Sequence, residues 1–324
     1  MLLLDHKWIW DFWLAKNGAD WHCYFLQADD TLSDPELRHR NVTQGHAVSH
    51  DLVNWRHLGT CFTPSTGDGF DNWTTWTGSV VQNSDGMWHL FYTGTEHAEL
   101  GLKQRIGHAT SLDMHSWQRV GDGLCLDLAG PYALSYEEYT PGHWHDRAFR
   151  DPWVMKNPGG DGWLMYFTAR VPDHGEANAG GAIGFATSPD LETWTLQKPV
   201  YAGGDFGQLE VPQVLKHRDH WYCTFCTAEN QWSEIYKNQN SQAPVTGTSY
   251  LMAKSHLGPW TAAPLFLDGA NPCKRYAGKI VEIEGNLFLM AFLFYDATGK
   301  FVGKITDPIP LAVHVDGTLS LLED

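Results

Sequence analysis

Three acidic residues stand at the entrance of hydrophobic, strand-like runs: Asp11 in Trp10-Asp-Phe-Trp13, Asp151 in Phe149-Arg-Asp-Pro152 and Glu210 in Leu209-Glu-Val-Pro212. Carboxylates set among large apolar side chains are rarely there for solubility. Cleaving a glycosidic bond commonly takes two carboxyl groups, one to protonate the leaving oxygen and one to act as nucleophile or as base for water. A third can bind sugar hydroxyls and stabilise the positive charge that develops on the ring. Three converging acids would supply all of these roles, so the next question is what could bring such distant residues together.

Internal repeats answer it. Gly45-His-Ala-Val-Ser-His-Asp-Leu-Val-Asn-Trp55 recurs as Gly107-His-Ala-Thr-Ser-Leu-Asp-Met-His-Ser-Trp117 and Gly184-Phe-Ala-Thr-Ser-Pro-Asp-Leu-Glu-Thr-Trp194, with a shorter relative at Leu251-Met-Ala-Lys-Ser-His-Leu-Gly-Pro-Trp260. Each copy is a small-residue strand that enters a Ser/Asp turn and returns a Trp to the core. Phe301 to Asp307 reads as a degenerate fifth copy. Ahead of each copy comes a hairpin pattern: 9–27 turning at Asn17-Gly18, 78–93 at Asp85-Gly86, 151–168 at 158–162, 210–227 near Arg218-Asp219, and 278–295 at Glu284-Gly285-Asn286. Five such units predict an all-β fold, a single five-bladed β-propeller over residues 1–324. In a propeller the first strand of every blade lines the central channel, and aligning the hairpins places Asp11, Ser79, Asp151, Glu210 and Lys279 at equivalent positions.

Composition narrows the partners. A net charge of −16 with only 22 Lys and Arg argues against nucleic acid and against an anionic membrane surface. A neutral small-molecule sugar fits better, and the 16 Trp, 12 Tyr and 15 Phe offer faces on which sugar rings stack. Met1-Leu2-Leu3-Leu4 is followed at once by Asp5, and no apolar stretch is long enough to span a bilayer, so a cytoplasmic protein is expected. The six cysteines lack framework spacing and read as reduced packing residues.

Several of these motifs carry a family resemblance. Trp76-Thr-Gly-Ser79 after Gly69-Phe-Asp71, the Arg150-Asp-Pro152 run and the Gly45 to Trp55 element resemble glycoside hydrolase family 32, that of invertases and inulinases, whereas Trp10-Asp-Phe-Trp13 is similar to the levansucrase family 68 of the same clan. The resemblance implies Asp11 as nucleophile, Asp151 as transition-state stabiliser and Glu210 as acid/base, with Trp10, Gln27, Trp76, Ser79 and Arg150 near the fructosyl ring. It also implies a retaining β-fructofuranosidase acting on sucrose or short fructosides, with Asp11 and Glu210 carboxyls about 5–5.5 Å apart. The chain departs from family 32 at the nucleophile, at Leu209-Glu-Val-Pro212, at Gln44 where a Trp is usual, and in leaving no room for a β-sandwich after the propeller. An inverting family 43 arabinanase or xylosidase and a propeller that only binds carbohydrate are the rival readings.

Other features read as structural. Gly142-His-Trp-His-Asp146 offers His143, His145 and Asp146, but two histidines two apart without a third ligand indicate a polar loop, so neither a metal nor a cofactor is expected. Glu96 and His97 read as a loop at the mouth. Trp55, Trp117, Trp194 and Trp260 belong to the core, and Trp10, Trp13, Trp73 and Trp76 are the candidates for sugar stacking.

Overall fold

A computed structural model describes residues 1–322 and contains five antiparallel sheets, each built from consecutive strands. Blade one holds Lys7–Asn17, Asp20–Asp29, Thr43–Ser49 and Arg56–Phe62; blade two holds Thr74–Gln82, Trp88–Thr95, Gln104–Ser111 and Gln118–Leu126. Blade three is Phe149–Lys156, Trp163–Arg170, Gly181–Ser188 and Thr195–Leu196, and blade four is Glu210–His217, His220–Thr227, Thr246–Ala253 and Thr261–Ala262, joined by Asp268–Ala270. Blade five comprises Arg275–Ile283, Asn286–Tyr295, Phe301–Ile305, Ile309–Val313 and Leu319–Leu321. The first strands of neighbouring blades touch all the way round, from blade one through blade five and back to blade one. That closed ring is a five-bladed β-propeller.

Every hairpin expected from the sequence forms, with turns such as Asn17↔Asp20, His217↔His220 and Ile283↔Asn286 closing the registers. The repeated Ser/Asp ending has a physical basis. In blade three the Ser188 hydroxyl accepts from the Asp190 and Leu191 amides at 3.2 and 2.9 Å, while Asp190 accepts from the amides of Glu192 and Thr193. Ser49 with Asp51 repeats the arrangement in full, and Ser111 with Asp113 repeats it through the amides of Asp113, His115 and Ser116. These bonds hold Leu52, Met114 and Leu191 at φ of 63°, 62° and 71°, a conformation that bulky residues rarely adopt unaided. Those three are the fully buried residues of the turns; Trp55, Trp117 and Trp194 pack over them half-buried, and only Trp260 is fully buried. Ser188→Ala is expected to cost about 1–2 kcal/mol of stability in urea denaturation, because it strands the buried Leu191 amide without its acceptor.

The expected fifth copy differs. Phe301–Ile305 is the first half of an interrupted third strand that resumes at Ile309–Val313, and both halves pair with Asn286–Tyr295. Its outer part is spent on ring closure, since the Leu2 and Ile305 backbones exchange two hydrogen bonds of 3.0 Å. All six cysteines are free thiols. No helix among the described residues is long and apolar enough to cross a membrane.

Candidate active site

Each first strand is interrupted at the same height by a bulge. Just before it stand Trp10, Trp76, Arg150, Glu210 and Tyr276, opposite Leu26, Thr93, Thr168, Cys226 and Phe292. In the bulge stand Asp11, Thr77, Asp151, Val211 and Ala277. All but Ala277 line one cavity of about 600 Å³. A bulge re-aims the side chains on either side of it, which lets two successive residues per blade face the channel. The expected equivalence of Asp11, Ser79, Asp151, Glu210 and Lys279 is therefore corrected. Glu210 sits one row from Asp11 and Asp151, whose counterpart in blade four is Val211. Ser79 and Lys279 lie beyond the bulge, opposite Phe91 and Met290. The bulge holds one residue in blades one and two and two residues in the others, an inequality that a gapless alignment misses.

The three acids meet different surroundings. Asp11 accepts one hydrogen bond, from the Thr77 hydroxyl at 3.2 Å. Burial, reinforced by the negative charges of Asp151 and Glu210, pushes its pKa up to about 7 against the pull of Arg38 and Lys279. Asp151 accepts from the Val211 amide at 3.1 Å and the Thr168 hydroxyl at 3.0 Å. Burial raises its pKa, and the adjacent Arg150 opposes the rise. Glu210 is gripped by Arg150 Nη2 on one oxygen at 2.7 Å and by the Tyr276 hydroxyl on the other at 2.5 Å. Asp151 and Val211 adopt φ of 58° and 47°, costly for a β-branched residue and of order 1–3 kcal/mol for such positions. Lys279, buried beneath, donates to the Val211 carbonyl at 2.7 Å and so steadies the turn that presents Glu210 on one side and the Val211 amide on the other.

Residues 14–271 match the profile described as glycosyl hydrolases family 32 N-terminal domain. The chain belongs to glycoside hydrolase family 32. The matched segment begins just after Asp11 and does not include it. Among curated relatives of this family 32 chain are a sucrose-6-phosphate hydrolase of Bacillus subtilis, 31% identical over 177 residues (53% of this chain, 32% of the relative), and an invertase of Kluyveromyces lactis, 27% identical over 229 residues (63% and 31%). The aligned part of the chain thus spans about a third of the length of these relatives. Among solved structures, the inulosucrase of Halalkalicoccus jeotgali bound to kestose superposes with TM-score 0.79 at 20% identity, covering 98% of this chain and 87% of that one. Bacillus subtilis levansucrase gives TM-score 0.72 at 16% identity, with 99% and 87% covered. These two likenesses carry the fold.

Of the residues singled out in the sequence, this family 32 propeller gathers Trp10, Asp11, Trp76, Arg150, Asp151 and Glu210 at the cavity. Gln27 is not there. It belongs to the second strand of blade one, where its amide donates to the Thr43 and Thr60 hydroxyls. Ser79 is also outside the cavity, because its hydroxyl accepts the Val154 amide at 3.0 Å and joins blade two to blade three. Trp13 is fully buried against Tyr24, and Trp73 stacks on His97 and under Arg40 instead of facing the cavity. Glu96 is likewise absent from the lining.

The sequence reading missed the rest of the wall. Thr77 and Tyr276 occupy the same two rows as the acids and become visible once the bulge is counted. Glu36, Arg38, His39 and Arg40 arrive on the 3-10 turn Pro35–Arg40 between the second and third strands of blade one, a segment without a recognisable motif. The His39 carbonyl accepts from Trp76 Nε1 at 2.9 Å. Desolvation in the cavity wall, with the positive charges of Arg38, Arg40 and Arg150, pushes the His39 pKa down to about 3. Gln104 and Gln208 both accept from Arg150, which lies near Asp151 (3.5 Å) and Asp146 (3.8 Å) as well. Burial disfavours the Arg150 charge, but Asp146, Glu210 and Asp151 outweigh it and hold the pKa above its ordinary value. The polar loop of His143, His145 and Asp146 divides: His145 and Asp146 reach this cavity, whereas His143 turns to another cluster.

Proposed function

We propose that this family 32 chain is a retaining β-fructofuranosidase that hydrolyses sucrose or short fructosides through a fructosyl-enzyme intermediate. The observation that carries the reading is the unequal treatment of three carboxyl groups around one cavity. Asp11, with a single weak donor and no cation bonded to it, is the acid left free to attack the anomeric carbon. Glu210, aimed by Arg150 and Tyr276, protonates the leaving oxygen and then takes a proton from the incoming water. Asp151, fixed by the Val211 amide and Thr168, accepts hydrogen bonds from ring hydroxyls and holds its charge against the oxocarbenium-like transition state. Trp10, Arg40 and Asp146 also line this cavity, an apolar ring beside a donor and an acceptor side chain, which is the mixture that a sugar ring and its hydroxyls require.

Hydrolysis and fructosyl transfer share the covalent intermediate, so the acceptor that reaches it decides the product. All three acids and their partners come from the five blades, so residues 1–324 act as one catalytic domain. The six free thiols fit a reducing, cytoplasmic setting. Incubation with sucrose, 1-kestose, and aryl arabinosides and xylosides, with methanol as a competing acceptor, tests the reading. Fructose release from the fructosides with methyl β-fructoside as the trapped product is the expected result. Turnover confined to the pentosides, or an inverted product, would defeat it. A sugar-bound structure is expected to place the Asp11 and Glu210 carboxyls about 5–5.5 Å apart.

A further inference from the structure

A second concave site, distinct from the sugar cavity, lies at the edge of blade three. It measures about 400 Å³ and is lined by Glu137, Glu138, Thr140, His143, Asp173 and His174, among others. We propose that Glu137, His143 and His174 bind a divalent transition-metal ion of the zinc class, and that the ion clamps the loop of residues 140–146 onto blade three.

The donor set is one carboxylate oxygen and two imidazole nitrogens within 4.8 Å of one another, a His2Glu combination that leaves a fourth position for water. The measured edges suit it. Glu137 Oε2 lies 3.4 Å from His143 Nε2 and 3.0 Å from His174 Nε2. A tetrahedral ion with bonds of about 2.0–2.1 Å requires ligand edges of roughly 3.3 Å.

Ion pairing alone could produce similar spacings, but the His174 tautomer argues for a cation. Its Nδ1 sits against the Glu176 carbonyl and must carry a proton to donate there. In the neutral ring Nε2 is then an acceptor, and it faces a second acceptor, Glu137 Oε2, at hydrogen-bond distance. Two lone pairs so placed need positive charge between them, which either a bound ion or a second ring proton supplies; imidazole nitrogen spectra distinguish the two. An imidazole whose far nitrogen is anchored to a backbone carbonyl is also how metal-bound histidines are held in orientation. Arg170 supplies part of the charge, with Nη2 3.2 Å from both atoms. Its fork is already shared with the Ala177 and Gly207 carbonyls and the other Glu137 oxygen. The Arg170 bonds to both Glu137 oxygens favour its carboxylate form against the upward push of burial.

The location gives the site a consequence. His143 is the only one of the three on the 140–146 loop, and its half-exposed ring leaves an entry path. Three residues further on, Asp146 accepts from Gln104 at 2.7 Å in the wall of the sugar cavity, next to His145. Between them, the Trp144 ring lies 3.7 Å under the Arg170 guanidinium. An ion bound to His143 therefore fixes the segment that delivers His145 and Asp146.

Calorimetric titration of Zn²⁺ into the chelator-treated full chain tests this, with hydrogen exchange as the second readout. Saturable one-site binding is expected, weakened about 100-fold or more in His143→Ala and in His174→Ala. Zn²⁺ is expected to slow amide exchange across 140–146 in the wild type and to leave it unchanged in His143→Ala. The half-exposed position of His143 lets that variant fold normally, as circular dichroism would verify, should His174→Ala prove unstable. Absence of saturable binding, or equal binding by wild type and His143→Ala, would overturn the proposal. So would imidazole nitrogen spectra showing His174 protonated on both ring nitrogens and unmoved by Zn²⁺. None of these readouts depends on fructoside turnover.

Discussion

Asp11→Asn is expected to abolish measurable sucrose turnover, a fall in kcat of about 10⁴-fold or more, while making the protein more stable at pH 8. The two effects share a cause. An amide cannot form the fructosyl ester, so the covalent route closes. In the folded wild type, burial beside Asp151 and Glu210 lifts the Asp11 pKa from 3.8 to about 7. A group with a raised folded-state pKa stabilises the protein below its unfolded value and loses that contribution as pH rises through the folded value. Above pH 7 the wild type holds a buried, crowded charge that asparagine lacks. At about 1.36 kcal/mol per pKa unit the difference is on the order of a few kcal/mol at pH 8, shrinking towards nothing near pH 4. Melting temperatures of both proteins across that range give the second readout. A variant that retained activity within tenfold of wild type would remove Asp11 from the chemistry. One that lost stability at pH 8 would remove the buried-charge argument.

The same crowding sets the pH dependence of the intact site. Asp11 and Asp151 both have raised pKa values and share one cavity, so the two titrate as a coupled pair, not as independent acids. The acid limb of kcat/KM is expected near neutrality, where Asp11, the proposed nucleophile, loses its proton. Glu210→Gln is expected to remove leaving-group protonation and to spare activated aryl fructosides more than sucrose.

The fold was legible because the propeller repeats its own instructions. Each Ser/Asp turn is fixed by hydrogen bonds of two short side chains to nearby amides, a local device that needs no tertiary context and so leaves the same letters in three blades. The hairpin turns are equally local. The acids were legible for a related reason: a carboxylate at the mouth of an apolar strand is anomalous by itself. What stayed hidden depends on register. Glu210 and Asp11 reach one cavity from adjacent rows because bulges of unequal length shift blades three to five, and nothing in Leu209-Glu-Val-Pro212 announces a left-handed Val211. Ser79 was misplaced by the same error and joins two blades instead, whereas Gln27, placed near the sugar by the resemblance, ties strands of its own blade together. The Glu36 to Arg40 wall was hidden because a loop's position follows from packing. Arg38 sits over Trp10 and Phe301, which are far apart in the chain.

Arg150 is where site and fold are hardest to separate, and its replacement discriminates between them. Arg150→Met is expected to lower kcat by roughly 10³-fold and to cost about 3–5 kcal/mol of stability. The guanidinium is buried and faces Glu210, Asp151 and Asp146; deleting it leaves three carboxylates without their cation. Arg150 is what opposes the upward push of burial on Asp151, so without it the Asp151 pKa rises further and the acid limb of the rate profile should move to higher pH. The stability deficit should be larger at pH 8 than at pH 5, where the raised pKa of Asp151 favours uptake of a proton. Arg150→Lys separates charge from shape. An ammonium restores a positive charge but not the planar fork that reaches Gln104, Gln208 and Glu210 at once. If Arg150 only balanced charge, lysine would recover turnover along with stability. If it also aims Glu210 at the leaving oxygen, lysine recovers most of the stability while kcat stays low and KM changes little. The second outcome is the one this geometry requires, because Tyr276 alone would leave the Glu210 carboxyl free to swing about its single remaining hydrogen bond.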